Sequence, residues 1–78
     1  MDTSTAVRQR ILDLCRQRGI TVNRLATISG VTQSTVNNIV SGRNHSATVA
    51  TIKKFCDGLD ITLRDFFDAA VFEDLEQE

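Results

Sequence analysis

Apolar residues recur along this chain at helical spacing. Val7, Ile11, Leu14 and Cys15 stand at i, i+4, i+7 and i+8. That stripe predicts a first helix, capped by Ser4 or Thr5 and running to Arg18. Arg8, Arg10, Arg16 and Arg18 lie off the stripe and read as a solvated face. Gly19 ends the helix, and Ile20 packs inward. The stretch TVNRLATISGVTQSTVNNIVSG, from Thr21 to Gly42, organises everything else. It reads as two short helices, Val22–Ser29 and Gln33–Ser41, with Thr21 and Thr32 as their N-caps. Gly30 lies between them, where the chain must turn and a left-handed conformation costs glycine little. Leu25, Ala26, Val31, Val36, Ile39 and Val40 form one buried stripe across the pair. The small Ala26 lets two steeply crossing helices come close.

A loop of turn residues, Ser41 to Thr48, follows. Thr48 should cap a fourth helix, Val49–Asp57, ended by Gly58, with Val49, Ile52, Phe55, Cys56 and Leu59 as its inward face and Lys53 and Lys54 in water. Thr62 and Asp65 have capping-box spacing and begin a short fifth helix with Leu63, Phe66 and Phe67 apolar. Val71, Phe72 and Leu75 fit one face of a further short helix. That tail either folds back over the first and fourth helices or forms a dimer contact rimmed by its acids. No stretch alternates as a strand would, so the expected fold class is all-α, with five helices. Residues 1–68 would form the domain and 69–78 an acidic C-terminal extension.

The outer face of the third helix carries Gln33, Ser34, Asn37 and Asn38. These side chains are uncharged, and each can both donate and accept. Base edges in a DNA major groove present mixed donor and acceptor patterns, and Gln or Asn can pair with adenine in a bidentate way. A merely solvated helix would more often carry Glu and Lys at such places.

Charge distribution sharpens this reading. The net charge of the 78 residues is only −1. Yet residues 1–59 hold eight Lys/Arg against three Asp/Glu, a balance of +5, and residues 60–78 hold one Arg against seven acids, a balance of −6. Nucleic acid is favoured by the body of the domain and repelled by its tail. A chain this short buries about 60% of its unfolded surface and holds one small core. No apolar run approaches about 18 residues, so no span is expected. MDTSTAVRQR lacks an apolar signal region, and a cytoplasmic location is expected. Cys15 and Cys56 fall at apolar-periodic positions and read as buried thiols. His45, the one histidine, has no Cys, Asp or Glu at ligand spacing. Neither a metal nor a cofactor is expected, and nothing suggests an enzyme: there is no Gly-rich phosphate loop and little room for a cleft.

From about Arg8 to Phe67 the chain resembles the phage-repressor helix-turn-helix family (lambda-repressor-like, Cro-like, XRE-type). The resemblance is carried by RQRILDLCRQRGIT, RLATISGVTQSTVNNIVSGR and TIKKFCDGLDITLRDFF, with Ala26, Gly30, Val36 and Ile39 at the family's buried spacing. It implies a five-helix domain with Gln33–Ser41 as recognition helix. Gln33, Ser34 and Asn38 match its base-reading positions. Thr32, Asn37, Arg43 and Asn44 match places that touch backbone or nearby bases. The start of the second helix, around Val22 and Asn23, matches a phosphate-contacting point. Three departures from the pattern involve four positions. Val22 replaces a Gln that braces the recognition helix and touches phosphate. Cys15 and Val40 replace a buried Arg–Glu pair, an exchange that is often neutral or stabilising. Ala47 replaces a loop Pro.

The expected function is a sequence-specific regulator of double-stranded DNA, a repressor binding a near-palindromic site as a homodimer. The alternative is an antitoxin-like or adaptor module that binds a partner protein through its C-terminal segment.

Overall fold

The structure is a computed structural model and describes residues 1–42 and 47–77. The elements are α1 (Thr3–Arg18), α2 (Val22–Ser29), α3 (Gln33–Ser41), α4 (Val49–Leu59) and α5 (Leu63–Phe67), followed by a single 3₁₀ turn, Ala70–Phe72. All five helices predicted from the hydrophobic pattern are present, and α2 and α3 have the predicted bounds.

Side-chain caps set where each helix starts. Thr21 Oγ1 accepts from the Arg24 amide at 3.0 Å, Thr32 Oγ1 from Thr35 at 3.2 Å, and Thr48 Oγ1 from Thr51 at 3.1 Å. Thr62 and Asp65 make both bonds of a capping box, each at 3.0 Å. The first cap differs from expectation. It is Asp2, not Ser4 or Thr5, and its Oδ1 accepts from the Thr5 amide at 2.8 Å. A carboxylate at the helix start also meets the positive end of the dipole, which favours the earlier start. The hydrogen bonds from Thr5 and Thr62 hold the carboxyls of Asp2 and Asp65, respectively, below the usual carboxylate range.

The core contains Phe55, Phe66, Ile11, Leu25, Val36 and Cys56, all essentially inaccessible to water. Among the described residues no charged or polar residue is wholly buried in it, although the Ser29 hydroxyl is itself hidden from water. Cys15 and Cys56 are free and buried, and desolvation pushes both thiols up. Val40 packs at the edge of this core.

Three further expectations are corrected. The fourth helix does not end at Asp57 or Gly58. It continues to Leu59, and Asp60 takes the left-handed C-cap at φ 57°. Gly58 instead serves close packing: a Cβ there would stand 2.6 Å from Ser29 Oγ and 3.0 Å from the Ile28 carbonyl oxygen. Val49 is not inward, being 65% exposed. Helical Cα–Cβ bonds tilt toward the N-terminus, so a first-turn side chain overhangs the helix end instead of covering the core. Arg10 is not simply solvated. Its Nε donates to the Phe66 carbonyl at 2.7 Å and its Nη2 to that of Asp65 at 2.8 Å, tying α1 to the end of α5.

The tail folds back, and its main contact is with α1. It forms the 3₁₀ turn and not the α-helix its spacing suggested. Phe67 and Phe72 lie with ring centroids 5.0 Å apart, and Phe66 is 5.0 Å from Phe67. The Glu76 amide donates to the Met1 carbonyl at 3.1 Å. Among the described residues no helix is long and apolar enough to cross a membrane.

Two expected outcomes follow from this packing. In an exposed helix Gly→Ala gains about 1 kcal/mol, but Gly58→Ala should lose about 1–3 kcal/mol in urea denaturation because the added methyl strikes Ser29 Oγ and crowds the Ile28 backbone. Adding Ser29→Ala, which removes a buried hydroxyl with no hydrogen-bond partner among the described residues, should recover part of that loss. Separately, the lowered Asp65 carboxyl binds its proton more weakly in the folded than in the unfolded chain. Its stabilising contribution is therefore present above the ordinary carboxylate pKa and is lost as pH falls through the lowered one. Asp65→Asn should make the acid limb of the stability–pH curve shallower.

Candidate nucleic-acid interface

Two helices and the turn between them build the candidate surface. Gly30 caps α2 in the left-handed region at φ 68°, and the Val31 amide donates back to the Ala26 carbonyl at 3.1 Å. Val31 then packs at the core edge, and Thr32 opens α3. Val36 and Ile39 are buried at 0% and 6% exposure, with Val40 beside them against the core. Each helical residue turns the side-chain direction by about 100°. With that seam inward, the opposite side of α3 must face out.

Ser34 and Asn37 are exposed on that side, and Gln33, three residues before Val36, is exposed in the first turn of the helix. Asn38 is half-buried. Thr32 is exposed, but its hydroxyl is engaged within the cap: it accepts from the Thr35 amide and donates to Thr35 Oγ1 at 2.8 Å. Arg43 and Asn44, expected to join the surface from the following loop, lie outside the described residues, as does His45. Ser41 is one residue the hydrophobic pattern left out. It is exposed, and its hydroxyl donates to the Asn38 carbonyl at 3.3 Å. Its spacing of i+4 from Asn37 and i+7 from Ser34 is the signal that could have placed it on the same side.

The start of α2 is the neighbouring feature. Thr21 satisfies the Arg24 amide, leaving the first amides of the helix, at Val22 and Asn23, without a partner inside it. The Val22 side chain is half-buried against the core, so only backbone groups and the exposed Asn23 and Arg24 side chains are presented there. At the positions where the family resemblance implies a buried Arg–Glu pair, this chain has Cys15, 4% exposed, and Val40, so the seat of α3 there is apolar.

The surface therefore offers neutral donors and acceptors on a projecting helix, with no acid or base among the residues of α3. Such a face can hydrogen-bond to base edges without first stripping the hydration of an ion. Among the described residues no cluster of His, Cys, Asp or Glu could hold a metal.

Comparison with known proteins agrees with this geometry. The chain is 36% identical over 62 residues to an uncharacterized HTH-type transcriptional regulator, RghRB, of Bacillus subtilis (strain 168). That match covers 80% of this chain but 45% of the relative, so the chain spans less than half of that protein's length. It is also similar to the crystal structure of the prophage Lp1 protein 11, with a TM-score of 0.82 and 38% identity, covering 96% of this chain and all of the other. The family model for the Cro/C1-type HTH DNA-binding domain matches residues 10–70, from within the first helix to the 3₁₀ turn. With α2 and α3 forming the helix-turn-helix, this chain belongs to the Cro/C1-type helix-turn-helix DNA-binding family.

Proposed function

We propose that this DNA-binding regulator is a repressor that occupies a near-palindromic duplex site as a homodimer, reading bases with Gln33, Ser34 and Asn38. Thr32, Asn37, Arg43 and Asn44 contact the sugar-phosphate backbone and adjacent bases. It acts by occupying DNA and not by catalysis. The observation that carries this reading is the outward, uncharged polar side of α3, fixed by burial of Val36 and Ile39 behind it. Backbone contacts supply the salt-dependent affinity, and the Gln/Asn face supplies the choice of sequence. Residues 69–78 belong to this unit as an acidic extension, whose turn Ala70–Phe72 packs on α1.

Two copies would set their α3 helices about 34 Å apart, one turn of DNA, and so select a site with two-fold symmetry. Phe67 supports the dimer: it is 41% exposed beside Phe72 and gives a second copy an aromatic ring to bury. The same ring favours the second reading, in which the C-terminal segment binds a different protein.

Three outcomes are expected. Gln33→Ala should weaken binding to a duplex selected from a random pool by about 1–3 kcal/mol and leave binding to scrambled duplex nearly unchanged. Equal loss on both would contradict base reading by this residue. Phe67→Glu should shift the sedimenting species from dimer to monomer. It should weaken a two-half-site duplex far more than an isolated half-site. A variant still dimeric would move the interface elsewhere, and loss of a protein partner without loss of DNA binding would favour the second reading.

A further inference from the structure

α3 ends at Gly42, which lies in the left-handed region at φ 81° and donates its amide to the Ile39 carbonyl at 3.3 Å. The last turn of α3 has no basic residue of its own to meet the negative end of the helix dipole. Arg8 reaches this point from α1. A methyl group built on Gly42 would stand 2.6 Å from Arg8 Nη1 and 3.8 Å from its Cζ, so the guanidinium lies directly against the cap. Arg8 is half-buried, as a side chain pressed between two helices should be. Its charge also acts on Asp2, the N-cap of its own helix.

We propose that Arg8 is a positioning residue for DNA recognition. Its guanidinium holds the C-terminal end of α3 and fixes how that helix is presented to the duplex. This rests on reading α3 as the base-contacting helix. Two features at Gly42 serve this contact. The positive φ ends the helix sharply, and the missing side chain leaves the space that the guanidinium fills. Arginine is suited to the task because its planar, permanently charged head can lie flat against a helix end and face several carbonyls at once. The apolar seam fixes the rotation of α3 near its middle, and Arg8 fixes its far end.

The test has two arms on the full chain. Arg8→Gln and Arg8→Lys are compared with the unsubstituted protein on a duplex selected from a random pool and on its scrambled counterpart, across a salt series. For Arg8→Gln the ratio of specific to scrambled affinity should fall about two- to fivefold, the size of a lost charge–dipole contact. The slope of log affinity against log salt should stay unchanged, and Arg8→Lys should restore most of the ratio. A slope shallower by about one unit, with the ratio preserved, would make Arg8 a direct phosphate contact and overturn the proposal. So would an unchanged ratio. The second arm needs no DNA. Gly42→Ala is introduced with Arg8 present and in the Arg8→Ala background, and stability is read in urea. The substitution should be distinctly more damaging with Arg8 present. Strict additivity would show that the two groups do not touch and would also overturn the proposal. A coupled pair in a protein that selects no duplex would leave the contact standing and remove the reading of α3 on which its purpose depends.

Discussion

Burial of Val36 and Ile39 sets the rotation of α3 about its own axis. A nine-residue helix is too short to hold itself together in water, so its stability comes from that apolar stripe packing on α1 and α2. Once the stripe is inside, the direction of every other side chain on the helix is determined. Ser34 and Asn37 face out because Val36 and Ile39 face in, and Gln33 is exposed in the first turn of the helix. The residues proposed to read bases are thus aimed by a buried seam on the other side of the helix.

The rest of the molecule keeps that seam in place with no buried charged residue among those described. α2 makes its most extensive contacts with α4, which can approach closely because Gly58 has no side chain to strike Ile28 and Ser29. Arg10 draws the end of α5 onto α1 through two carbonyls, and the tail closes over α1 beside the Phe66, Phe67 and Phe72 rings. Cys15 and Val40 leave the interior apolar at a place where an ion pair would have needed good geometry to offset its desolvation. Charge is confined to the surface: basic excess over residues 1–59, acidic excess beyond.

Much of this is legible in the sequence because the determining interactions are local. Thr21, Thr32, Thr48 and Thr62 each bond an amide three residues ahead, so the starts of four helices can be read from the residues beside them. Repeating apolar positions then give the inward face. What escapes is what depends on distant neighbours. Gly58 looks like a terminator by composition, and only the approach of α2 shows it to be a packing residue. Arg10 looks solvated until α5 supplies its carbonyls, 55 and 56 residues away. Val49 fits the stripe by number yet overhangs the helix end. At the candidate surface the four polar residues of α3 could be named in advance, since a helical period suffices. The engagement of the Thr32 hydroxyl by Thr35, and the partial burial of Asn38, needed three dimensions.

The most direct measurement is a titration of isotopically labelled protein with a selected duplex, following backbone and side-chain amide resonances. The largest shifts should fall on Gln33, Ser34, Asn37 and Asn38, and on the amides of Val22 and Asn23, with Val36 and Ile39 retaining slow hydrogen exchange throughout. Shifts confined to residues 63–77, with the α3 side-chain amides unmoved, would contradict the account at its centre.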